Sequence, residues 1–69
     1  MNEIVILSLE SRIDSINNAI AVTRANATLA TKATVEMAIE TLALPELAKV
    51  EAELAEAKDK VAKMTKLLN

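Results

Sequence analysis

Glu36 and Glu40 stand four residues apart, a spacing that puts two carboxylates one turn apart on a helix face, where they could share a metal ion or a proton. Nothing nearby completes such a site. The chain has no His and no Cys, which removes the commonest general base, the thiolate nucleophile, the usual transition-metal ligands and any serine triad. It has no Gly, so a glycine-rich phosphate loop cannot form, and no calcium loop of the Asp-x-Asp-x-Asp-Gly type occurs. With Lys32 one turn before Glu36, the two carboxylates read as part of a solvated row, Arg24, Thr28, Lys32, Glu36 and Glu40. We expect no enzyme activity, no catalytic residue, no cofactor, no metal and no small-molecule substrate.

The charge balance points away from nucleic acid. Eight Lys and Arg against ten Asp and Glu give a net charge of −2, whereas phosphate binding needs clustered cations. Phe, Trp and Tyr are absent, so bases would find no stacking platform. Lys58, Lys60, Lys63 and Lys66 do cluster, but near a helix C-terminus, where cations complement the negative end of the dipole. A membrane partner is not expected either. Ile4-Val5-Ile6-Leu7 is too short for a signal segment, and the run from Ile16 to Leu44 is broken by Arg24, Lys32, Glu36 and Glu40, where a span needs about 20 apolar residues. These features predict a soluble chain, cytoplasmic or within a virion or other assembly.

The elements that must position these residues are helices. A chain of 69 residues that is 52% apolar yet lacks Gly, aromatic residues and Cys has neither the tight turns of a sheet nor the bulky groups and staples of a small independent core. Ala, Leu, Glu, Lys and Met dominate its last third. Pro45 is the one proline; it disfavours the α conformation at Leu44 and removes a backbone donor. The expected architecture is therefore all-α: helix 1 over 9–43, a break or kink hinged at Leu44 and Pro45, and helix 2 over 45–68. This is either a helical hairpin or a kinked coiled-coil-like helix. Residues 1–8 read as the first helical turns or as an extended arm that adds to a partner.

Two apolar seams stand out. Leu47, Val50, Leu54, Ala57, Val61, Met64 and Leu68 alternate at three and four residues, the heptad pattern, with Glu56–Lys60 and Asp59–Lys63 on the wet side. Ile6, Leu9, Ile13, Ile16 and Ile20 repeat the spacing upstream, and the register extends through Thr23, Ala27, Ala30, Thr34, Met37, Thr41 and Leu44. A second line, Val22, Ala25, Leu29 and Ala33, then Val35, Ile39 and Leu42, covers another side of the middle stretch. Asn17, Asn18 and Asn26 are poor helix residues that could mark a kink. Met37 and Met64 read as core filler rather than as a methionine groove.

The seam residues, with Leu29 and Met37 from the middle, are the candidate interface. The partner expected is protein, a second copy of the chain or a larger assembly. Function is expected to be structural, as in a phage virion or a filament, where short helical chains are packed by their apolar faces. Needle-type secretion subunits are helical hairpins with a proline-containing turn, which Leu44-Pro45 loosely resembles, although their aromatic residues and paired turn prolines are missing here. The alternative is a small helical adaptor or regulator that sequesters a single partner. An amphipathic membrane-surface helix would need a basic polar face and large apolar anchors, which the mixed charges do not supply.

Overall fold

A computed structural model describes residues 2–68, and over that range the chain is all-α and folded as a helical hairpin. Helix α1 spans Asn2–Asn26, α2 spans Lys32–Ala38 and α3 spans Leu44–Leu68; a π-helical segment, Ile39–Ala43, joins α2 to α3 without a gap. The first arm is α1, about 37 Å long at 1.5 Å per residue, and it packs against α3. The molecule is a rod of 58 × 16 × 12 Å.

The reversal lies at residues 27–31, inside the stretch expected to be one helix over 9–43. The single helix expected there is two helices separated by a turn. Asn26 ends α1, and Thr28 and Thr31 then clasp each other: the Thr28 amide donates to Thr31 Oγ1 at 2.9 Å, the Thr31 amide donates to Thr28 Oγ1 at 3.2 Å, and the two hydroxyls lie 3.0 Å apart. Side chains of this type compete with the helical ladder for backbone groups, which is why they favour turns over helix interiors. Thr31 then caps α2, its carbonyl accepting from Val35 N at 2.9 Å. No described residue has positive φ, so the chain turns back without needing the glycine it lacks.

Leu44 and Pro45, expected to hinge the chain, sit instead at the start of α3 within a continuous helical arm. The irregularity they cause is local. Proline has no amide to donate and its ring clashes with the carbonyl four residues back, which is that of Thr41. The backbone widens at that point: the Leu44 amide reaches Ile39 O, a bond five residues long, and Thr41 Oγ1 donates to Met37 O at 2.8 Å. The extra residue also shifts the phase of the helix. Along the second arm the inward line runs Ile39, Ala43, Leu47, Val50, Leu54, Ala57 and Val61. The step from Ile39 to Leu47 is one residue longer than a heptad, and the π segment absorbs it.

The alternative of an arm at 1–8 gives way to helix from Asn2 onward; Met1 lies outside the described residues. Among the described residues Leu9, Ile20, Ile39 and Val50 are buried, Val50 completely. Ile6, Ile13 and Ile16 from α1 and Leu47, Leu54, Ala57 and Val61 from α3 are half-buried around them. The two seams face each other, and packing them is what holds the hairpin closed.

Candidate interaction surfaces

With the two seams spent on the hairpin core, the remaining expected interface positions fall elsewhere. Leu29, at the apex of the turn, is 96% exposed. Met37 and Met64 are also exposed, so neither is core filler, because the hairpin is only two helices thick and their sides of the arms meet no third helix. Leu68, also expected at an interface, lies outside the residues whose side chains are described. Of the register extended through Thr23, Ala27, Ala30, Thr34, Met37, Thr41 and Leu44, all but the half-buried Ala27 are solvent-exposed, because the turn at 27–31 interrupts the helix that would have aligned it.

Exposed large apolar side chains gather towards the two ends. Ile4, Val5 and Leu7 project from the start of α1, and Met64 and Leu67 from the end of α3. Val22, Leu29, Met37 and Leu42 cluster near the turn. Two open grooves run along the hairpin. One, of about 290 Å³, is lined by Ile16, Ala19, Ile20, Thr23, Ile39, Leu42, Ala43 and Glu46, beside the π segment. The other, of about 360 Å³, lies between Val5 and Leu9 on α1 and Glu53, Ala57 and Lys60 on α3.

Ion pairs bridge the arms. Arg12 reaches Glu46 at 3.3 Å and Glu53 at 3.7 Å, so one guanidinium spans two turns of α3. Nearer the turn, Arg24 Nε donates to Glu36 Oε1 at 2.9 Å and its Nη2 donates to Oε2 at 3.1 Å. The hydrogen bonds to Arg24 hold the Glu36 carboxyl below the usual glutamate range, and the same bonds raise the guanidinium. Glu36 is therefore paired with Arg24 across the turn. Among the described residues no group of His, Cys, Asp and Glu is placed to hold a metal ion, and no helix is long and apolar enough to cross a membrane.

The sequence did not single out Arg12, or Thr28 and Thr31 as a unit. A signal for the threonines exists: Thr-x-x-Thr two residues after a poor helix residue, Asn26, is a turn pattern. The Arg12 pairs join residues 34 and 41 apart and become visible only once the turn is located. Comparison with protein-family models, with characterised proteins and with solved structures finds no match for this chain.

Proposed function

We propose that the chain is a non-enzymatic structural subunit that self-associates, or packs among larger assembly proteins, through apolar helix faces left open by the hairpin. The observation that supports this is one of exposure. Ten large apolar side chains remain exposed among the described residues, against four buried ones, on a rod with no second layer to cover them. So thin a core must order most of its backbone for little burial, and association supplies the missing contact. A short two-helix rod with exposed apolar side chains suits a particle or filament of repeated subunits, of which a phage virion or a filament is the kind we favour. The rod would then occur inside such an assembly.

The groove beside the π segment supports a second reading, a helical adaptor that takes the apolar side chains of one client between Ile16 and Leu42. The experiment that separates the two is light-scattering mass after size exclusion, with circular dichroism, over about a hundredfold range of concentration. Helical species that grow with concentration support the assembly subunit. A folded monomer at every concentration removes self-assembly and leaves the adaptor.

A further inference from the structure

The face of α3 next to the core carries a regular row of small and charged residues. Leu44, Ala48, Glu51, Ala55, Lys58 and Ala62 alternate at four and three residues, and each follows a core-facing residue directly. One residue is about 100° of helix, so this row is turned by that angle from α1 and lies open along its length. All six residues are exposed.

The charges on this face carry the argument. Elsewhere on α3, Glu46 and Glu53 are taken by Arg12, Glu56 pairs with Lys60 and Asp59 with Lys63. Glu51 and Lys58, like Lys49 and Lys66 on other sides of the helix, have no ion-pair partner within the chain among the described residues. They stand four residues before and three residues after Ala55, with Ala48 and Ala62 seven residues away on either side. A two-fold axis near Ala55 brings Glu51 of each copy to Lys58 of the other, sets Ala48 against Ala62 and puts Ala55 against its own mate. Alanine at these points lets the helix axes approach closely, and the half-exposed Leu44 closes each end. A parallel arrangement would oppose like charges at both positions. The net charge along the helix agrees with the antiparallel sense, since Glu46, Glu51, Glu53 and Glu56 outnumber Lys49 in its first half and Lys58, Lys60, Lys63 and Lys66 outnumber Asp59 in its second.

We propose that α3 forms an antiparallel, isologous dimer contact with a second copy of the chain, centred on Ala55 and registered by two reciprocal Glu51–Lys58 pairs. This rests on the self-associating reading above and names the partner at one of its faces.

The test is sedimentation velocity on the full chain and on Glu51→Lys and Lys58→Glu. Each substitution places like charges opposite each other twice, so each variant alone should lose the dimer at concentrations where the wild type forms it. An equimolar mixture of the two variants should recover it as a heterodimer, and the double exchange Glu51→Lys with Lys58→Glu should recover it as a homodimer. Because the chain has no cysteine, Ala55→Cys supplies a single thiol, which should cross-link to its mate on mild oxidation. Wild-type association that survives both single substitutions, with no cross-link at position 55, overturns this contact while leaving the assembly reading standing. A wild type that is monomeric throughout overturns both.

Discussion

Arg24 near the end of α1 and Glu36 in α2 meet across the turn through two hydrogen bonds, Nε to Oε1 at 2.9 Å and Nη2 to Oε2 at 3.1 Å. Two parallel bonds from a planar guanidinium fix orientation as well as distance, so this pair pins the closed end of the hairpin.

Its pH behaviour follows from the carboxylate, since Arg24 stays charged throughout. The folded Glu36 carboxyl is depressed, so its stabilising contribution is present above the pKa of the unfolded chain and is lost as pH falls through the lower folded value. Thermal melts followed by circular dichroism should show the midpoint falling on acidification below about pH 4.5. Glu36→Gln should reduce that fall. An acid response unchanged by Glu36→Gln would assign it to other carboxylates.

The Thr28–Thr31 clasp makes a different prediction. Each substitution to Ala should destabilise the hairpin by about 1 kcal/mol, and the double variant should cost less than the sum, because the bonds are shared. Denaturant midpoints of the four chains measure the coupling; strict additivity would mean that the two side chains act separately.

Val50 and Leu29 should respond in opposite ways. Val50 is wholly buried, so Val50→Ala should cost about 2 kcal/mol and Val50→Asp should abolish helicity. Leu29 is 96% exposed, so Leu29→Ser should leave the helical signal intact and act, if at all, on association. Circular dichroism and light scattering on the same samples read both. A Leu29→Ser chain that unfolds would mean that the apex is packed in solution.

Pro45→Ala should leave the hairpin closed, because the reversal is made at residues 27–31. Small-angle scattering of the monomer should keep a radius of gyration near 16.3 Å, far from that of a straight helix of about 100 Å. The new amide at position 45 should be visible by NMR. Marked elongation on Pro45→Ala would place the turn at the proline after all.

Much of this molecule is legible in its residues alone. The absence of Gly and aromatic residues, the abundance of strong helix formers and the three-four spacing of Ile6 to Ile20 and of Leu47 to Val61 are local properties, and they determine that the chain is helical and which side of each helix seeks cover. Where the chain turns is not decided locally. Proline was the strongest breaker by intrinsic preference, yet a π segment accommodates it, at the point where an extra residue keeps Ile39 and Leu47 on one side. The weaker Asn26 to Thr31 stretch becomes the turn because reversing there brings the Ile6–Ile20 seam against the Leu47–Val61 seam and aligns Arg12 and Arg24 with their glutamates. A turn at Pro45 would leave α3 opposite the small, partly polar stretch before it. Tertiary packing decided the position of the reversal because the burial gained by matching two long seams outweighs the local preference of one residue.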